Sequence, residues 1–185
     1  MTFNSRGKQP NYVENGYPVI NSKHVRANKI VIDDLRQATK EDNTVLIAKG
    51  DVLINGTGVG TIGRAATYLH DEPVIPDNHV TILRTNKISP LYLSVFLNSL
   101  AGQYQVEKYF KGSSGQIELY PNDINKFLIW VAPDEIQTEI EQTISEAFVL
   151  EKQSECLLET AKRAVEIAIE QDEEAAIDYI QNTIS

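Results

Sequence analysis

The chain has 185 residues, 42% hydrophobic and 23% charged, with a formal net charge of −9 at pH 7. That length suits one ordinary domain plus an appendage, and no apolar run approaches the roughly 20 residues that a membrane-spanning helix requires. The single cysteine, Cys156, excludes an internal disulfide, and the polar N-terminus has no apolar signal region; together they predict a cytoplasmic protein.

The charge is unevenly spread. Residues 1–130 carry 14 Lys and Arg against 12 Asp and Glu, whereas residues 131–185 carry 3 against 14. Acidity therefore sits in the C-terminal third, and a binding surface on the first part is not repelled by its own domain. The slight positive balance there permits nucleic acid without arguing for it.

In chain order, short strands are predicted at residues 17–20, 45–48, 52–55, 62–69, 80–84, 117–120 and 127–131. They are rich in β-branched and aromatic residues and bounded by Gly, Pro, Asn and Asp. Ser89-Pro90 is a helix start, with a capping hydroxyl and proline in the first turn. Leu91, Tyr92, Val95, Phe96, Leu97 and Leu100 follow at helical spacing, and a second helical run covers residues 103–110. Past Pro133, Asp134 and Gln137 form a capping-box-like pair. Ile136, Ile140, Ile144, Ala147 and Phe148 then make an apolar stripe, resumed by Leu157, Leu158, Ala161, Val165, Ala168 and Ile169. A helix over 134–171 would be about 57 Å long at 1.5 Å per residue. That exceeds what a small first domain covers, so part of the stripe needs a partner helix; packing back on its own domain is the alternative.

The densest chemical signal is residues 50–64, GDVLINGTGVGTIGR, with Gly56, Gly58, Gly60 and Gly63 behind a short strand. Glycine at that density allows positive φ and close approach of another molecule to the backbone. Gly58, Gly60 and Gly63 fit the dinucleotide pattern G-x-G-x-x-G, but that fingerprint needs a helix directly afterwards. Here residues 65–69 lead within a few positions to Asp71-Glu72-Pro73, too short for one. A triphosphate-binding loop would need Lys-Ser/Thr after Gly63, where Arg64-Ala65 stands. A hairpin tip without a ligand is the plain alternative.

Catalytic and metal signatures are absent from the pattern. His24, His70 and His79 have no partner at metal-ligand spacing, and one cysteine cannot build a zinc site. No serine lies in G-x-S-x-G, and Cys156 falls on the polar interval of a helix without an activating base. No metal, cofactor or catalytic residue is expected.

Taken in order, NGYPVINSKH (15–24), GDVLI (50–54) with TGVGTIGR (57–64), PLYL (90–93), KGSSGQ (111–116) and FLIWVAP (127–133) leading into a helix with Gln137 and Ile140 make a set. This set resembles the target recognition domain and following helix of the specificity (S) subunit of type I restriction-modification systems, over almost the whole chain. The resemblance implies an α+β fold: a small mixed-sheet target recognition domain with short helices over 1–132, then a long helical dimerisation and spacer region over 133–185. That helix is expected to pack as a coiled coil or bundle with a partner. It also implies a non-catalytic reader of double-stranded DNA, working with a DNA adenine methyltransferase (modification) subunit and, where one exists, a restriction subunit. A full specificity subunit has two recognition domains and two helices; here there is one of each. Two copies are therefore expected to pair through Ile140, Ile144, Phe148, Leu157, Leu158, Ala161, Val165 and Ile169 and read a bipartite site. A fragment, or the C-terminal half of a longer protein, is the alternative, and an initial strand is open to being absent.

A DNA reader needs cations for phosphates, forked or amide side chains for base edges, and backbone able to come close. The N-terminal segment offers Arg6, Lys8, Lys23 and Arg26. The glycine-rich segment offers Asn55, Thr57 and Arg64, with His79 nearby, and the third segment offers Lys108, Lys111, Ser113, Ser114 and Gln116. Two readings from other classes stand beside this one: an enzyme domain binding a nucleotide at residues 56–63, and an adaptor whose helix is its working part.

Overall fold

The computed structural model describes residues 3–113 and 115–184. They fall into two compact units, Met1–Ile140 and Glu141–Ser185. Among its described residues the first holds eight strands: β1 (Phe3–Arg6), β2 (Tyr12–Val13), β3 (Tyr17–Ile20), β4 (Gln37–Ala38), β5 (Val52–Asn55), β6 (Ala65–Thr67), β7 (Ile75–Pro76) and β8 (Val80–Arg84). One sheet has the order β1-β8-β5-β6, antiparallel throughout, with Phe3 opposite Arg84 and Val52 opposite both Leu83 and Thr67. The other has the order β2-β4-β3-β7, in which β3 and β7 run parallel.

β5 is buried at all four positions, because both faces of its sheet are covered. Leu53, with Ala66, Val80 and Ile82, packs on Ile20, Val25, Ile47, Tyr68 and Val74. Its neighbours Val52 and Ile54, with Ala65 and Leu83, face the other way onto Leu93, Leu97, Val106, Leu119 and Phe127. A strand covered on both sides reads as a continuous apolar run rather than an alternating one.

The helices over the second face are α1 (Pro90–Asn98), α2 (Leu100–Tyr109) and the short α3 (Pro121–Ile124). Ser89 caps α1 by accepting from Tyr92 N, and Ser99 both closes α1 and caps α2 through Gly102 N. Then come α4 (Asp134–Glu170) and α5 (Glu173–Ile184). The expected capping pair at the start of α4 takes a different form. Gln137 Oε1 accepts from Ser89 N at 2.8 Å, and its Nε2 donates to Ala132 O at 2.8 Å. The chain turns between α4 and α5 without glycine or proline, because Asp172 caps α5 by accepting from Ala175 N at 2.8 Å. Among the described residues no helix is long and apolar enough to cross a membrane.

Three expected strands are not strands. Ile47 makes one bridge to Val74, and Glu118 makes single bridges to Thr57 and Lys111. Residues 127–131 have no regular secondary structure, and their backbone is met by a side chain: the Gln105 amide accepts from Leu128 N at 2.6 Å and donates to Leu128 O at 3.1 Å. The expected strand at 62–69 shortens to β6, since Gly63 lies at φ +80° and the residues before it form a turn.

His24 is 2% exposed, with Nδ1 accepting from Asn21 N at 3.0 Å. Burial, and next the charge on Lys23, hold its pKa below the ordinary 6.5. The unfolded chain therefore takes up this proton first. Stability from neutral His24 is complete above about pH 6.5 and declines as pH falls through the lowered folded value, by at most about 1.4 kcal/mol per pH unit. Urea midpoints between pH 7 and 5 are expected to fall in the wild type and to fall less in His24→Gln; parallel curves would place the acid sensitivity elsewhere.

Candidate nucleic-acid interface

β5 delivers the chain into the glycine-rich tip. Gly56 N donates to His79 O at 2.8 Å and Gly56 O accepts from Leu119 N at 2.8 Å. The tip closes on itself: Gly63 N donates to Asn55 O at 2.8 Å, Asn55 N to Arg64 O at 2.9 Å, and Thr61 Oγ1 to Thr57 O at 3.0 Å. Gly63 is needed here for space as well as for its φ, since a Cβ would lie 2.7 Å from Val106 Cγ2 on α2. The next element is β6, a strand. A dinucleotide pyrophosphate sits at a helix N-terminus, and this loop has none to offer.

A second loop meets the tip. Lys111 and Glu118 exchange backbone hydrogen bonds of 2.8 Å in both directions, and Glu118 also bridges to Thr57. Between them Gly112, at φ +102°, turns the chain where any Cβ would strike Gln116 O. The two loops frame an open groove lined by Thr57, Gly58, His79, Lys111, Gln116, Glu118 and Tyr120, among others. Thr57 Oγ1 and His79 Nδ1 lie 2.8 Å apart across one wall. Arg6 Nε donates to Asn78 O at 2.6 Å, its Nη2 stands 3.5 Å from Glu118 Oε1, and the guanidinium lies 5.6 Å from the Tyr120 ring centre. The Tyr120 hydroxyl and then Arg6 hold the Glu118 carboxyl below its ordinary range, while the same hydrogen bond pushes the Tyr120 phenol up. Beside the groove, Asp123 pairs with Lys126 at 2.6 Å and Lys111 at 3.1 Å, which lower its pKa in that order.

The fold thus brings Thr57, His79, Lys111 and Gln116 to one groove, with Arg6 held against Glu118 and Tyr120 of its lining and Ser113 exposed on its second loop. Ser114 lies outside the described residues. The other expected contacts are dispersed. Lys8 donates to Asn43 Oδ1 at 3.0 Å, and Lys23 pairs with Asp34 at 3.6 Å. Arg26 is exposed, Arg64 is half-buried at the foot of the tip, and Lys108 is exposed with its ammonium 5.1 Å from the Tyr109 ring centre. Asn55 has no exposed surface, and its amide donates to Ser22 O at 3.0 Å and Val25 O at 3.1 Å, which ties the first segment to the root of the tip. Sequence reasoning missed Glu118, Tyr120, Asp123 and Lys126. Glu118 and Tyr120 stand two apart in an extended run, a spacing that puts both on one side.

Of the expected helix-interface residues, Ile140, Ile144 and Phe148 are half-buried, and Leu157, Leu158, Ala161, Val165 and Ile169 are exposed. Val149 and Leu150 join them as exposed apolar residues. Among the described residues no group of three or more His, Cys, Asp or Glu could hold a metal ion.

Comparison with known proteins agrees with this architecture. A search of curated proteins finds no match. Among solved structures, the chain is similar to the S subunit of a type I restriction-modification system from M. genitalium, with TM-score 0.58, 15% identity, and 96% of this chain and 45% of that chain covered. It is similar to the HsdS subunit from Thermoanaerobacter tengcongensis, with TM-score 0.56, 17% identity, and coverage of 96% and 42%. A chain solved for complex assembly and conformational transition of the type I R-M system gives TM-score 0.57, 16% identity, and coverage of 96% and 42%. At such identities the likeness is one of fold, and the chain spans less than half the length of each of these proteins. The family description "Type I restriction modification DNA specificity domain" matches residues 4–159. With most of its length inside that match, the chain belongs to the type I restriction modification DNA specificity domain family.

Proposed function

We propose that this chain is a sequence-specific DNA recognition subunit of a type I restriction-modification complex. On this reading the first unit reads double-stranded DNA, and methylation and cleavage belong to partner chains. The observation that carries the reading is the groove between the two glycine-bearing loops. It combines backbone free of side chains at Gly58 and Gly112 with hydrogen-bonding groups of Thr57, His79, Gln116 and Glu118. Lysines stand at its rim and beside it, which is the division of labour that base reading and phosphate anchoring require. The domain boundary is proposed near Pro133. The apolar stripe of α4 is proposed to receive a second copy, so that two recognition domains face a symmetric, split site. The type I complex described for one of the similar structures supports a modification-subunit partner.

Affinity capture with this chain as bait in its native host is expected to recover a DNA adenine methyltransferase subunit. Recovery of an unrelated metabolic enzyme, or of this chain alone, would remove the function while leaving the fold. Lys111→Ala is expected to weaken binding to all duplexes alike and to reduce the slope of log K against log salt by about one. A change confined to one DNA sequence would instead make Lys111 a base contact. Arg6 is not an equivalent test, because its side chain is 18% exposed and its guanidinium holds Asn78 and Glu118 in place.

A further inference from the structure

Glu118 is the one acidic side chain among the described residues that line the groove. Its backbone is locked on both sides, by two hydrogen bonds of 2.8 Å to Lys111 and by the bridge to Thr57. Its side chain, 38% exposed, is held by Arg6 at 3.5 Å. Arg6 is itself fixed by Asn78 O at 2.6 Å. Asp123 is the contrast: 3% exposed, with an oxygen on each of two lysines, it is neutralised locally. Glu118 therefore presents a carboxylate, paired with a single guanidinium, to whatever enters the groove.

Such a group repels phosphate, so it can favour DNA only through a donor. In the major groove the donors on base edges are exocyclic amines, cytosine N4 and adenine N6. A C·G pair also presents guanine O6 and N7 as acceptors beside the cytosine amine. The groove wall carries a matching donor on Gln116. We propose that Glu118 is a base-reading residue of this groove, accepting a hydrogen bond from cytosine N4 of a C·G pair in the recognised sequence. This rests on the DNA-recognition reading above.

The test is selection of bound duplexes from a randomised pool by the full chain, wild type against Glu118→Gln. The wild type is expected to enrich a motif with one position restricted to cytosine. In E118Q the preference for cytosine at that position is expected to drop about 5- to 150-fold and to move toward adenine, which an amide reads through N6 and N7. Preference elsewhere in the motif is expected to stay. An E118Q pool identical to the wild-type pool would overturn the proposal, and so would loss of preference at every position, which would make Glu118 a support of the loops. Should E118Q fail to fold, Glu118→Asp keeps the charge and withdraws the carboxylate by one methylene. Weakened cytosine preference at the same position would then support the proposal, and an unchanged motif would overturn it. A wild type that enriches no motif would sink the recognition reading itself, a result distinct from an unchanged E118Q pool.

Discussion

Arg84→Ala is expected to lower the unfolding free energy of the first unit by about 3 kcal/mol, the lower end of the range for breaking a buried ion pair by removing one partner. Arg84 grips Asp51 with both arms of its fork, Nε to Oδ1 at 2.7 Å and Nη2 to Oδ2 at 2.8 Å. Its Nη2 also donates to Leu46 O at 2.9 Å, and the guanidinium lies 5.0 Å from the Phe3 ring centre. Asp51 has a side chain only 6% exposed, and beyond Arg84 it accepts from Ala48 N at 2.9 Å. Alanine at position 84 leaves a buried anion with one neutral donor. The Arg84 side chain is 38% exposed, so water recovers part of the loss, which is why the lower end applies. The double variant Asp51→Asn with Arg84→Met removes the stranded charge and is expected to recover part of the stability. Urea unfolding followed by the fluorescence of Trp130, the sole tryptophan, reads both variants. A loss below about 1 kcal/mol in R84A would mean that the pair behaves as a surface salt bridge. The consequence reaches the groove, because Asp51 precedes β5 and Gly56 follows it, so the clamp and the tip are the two ends of one strand.

What was legible in the residues was what depends on local chemistry. β3, β5 and β8 appear with their expected ends because each is a short β-branched run stopped by a polar residue or turn former. The start of α1 follows from Ser89-Pro90, and the long α4 from an apolar stripe uninterrupted by glycine or proline. What could not be read was pairing supplied from far away. β1, with the polar sequence Phe-Asn-Ser-Arg, is a strand only because β8 offers its edge. Residues 127–131 have strand composition, yet their hydrogen bonds go to Gln105 on α2 and to the Tyr92 hydroxyl on α1.

The same distinction applies to the groove. The glycine-rich segment at 50–64 was visible as a place of close approach, but its meeting with the 111–118 loop depends on Gly56 pairing with Leu119 and Thr57 with Glu118, residues some 60 positions apart. Searching for cations found Lys111 and Arg6 and passed over Glu118, because a carboxylate argues against nucleic acid unless its neighbours are known. Asn55 illustrates the converse. An amide beside a glycine-rich loop looked like a base reader, and burial against the Ser22 and Val25 carbonyls turns it to the interior.

Leu157→Glu with Val165→Glu is expected to give the largest effect of any change considered: conversion of a dimer to a monomer with both units still folded. Leu157 is 48% exposed, Leu158 60%, Val165 61% and Ile169 80%, and with Leu150 and Ala161 they follow one helical stripe. A helix with that much apolar surface in water is stabilised by a partner, and a twofold pairing uses each residue twice. Burial of a Leu or Val side chain contributes about 1.5–3 kcal/mol, so two positions in two copies are worth on the order of 6 kcal/mol, about 10⁴-fold in Kd. The substitutions also add charge to a segment that already carries 14 Asp and Glu against 3 Lys and Arg, so repulsion between copies acts in the same direction. Sedimentation over a dilution series is expected to find dimers of the wild type at micromolar concentration, tighter at higher salt because acidic helices repel less when screened. The double variant is expected to sediment as a monomer, with the unfolding of the first unit unchanged. A wild type that stays monomeric at every concentration would remove the pairing, and a variant that stays dimeric would move the interface off this stripe. Either result bears on the proposed DNA site, since a pair joined through α4 would present two recognition domains to a split sequence.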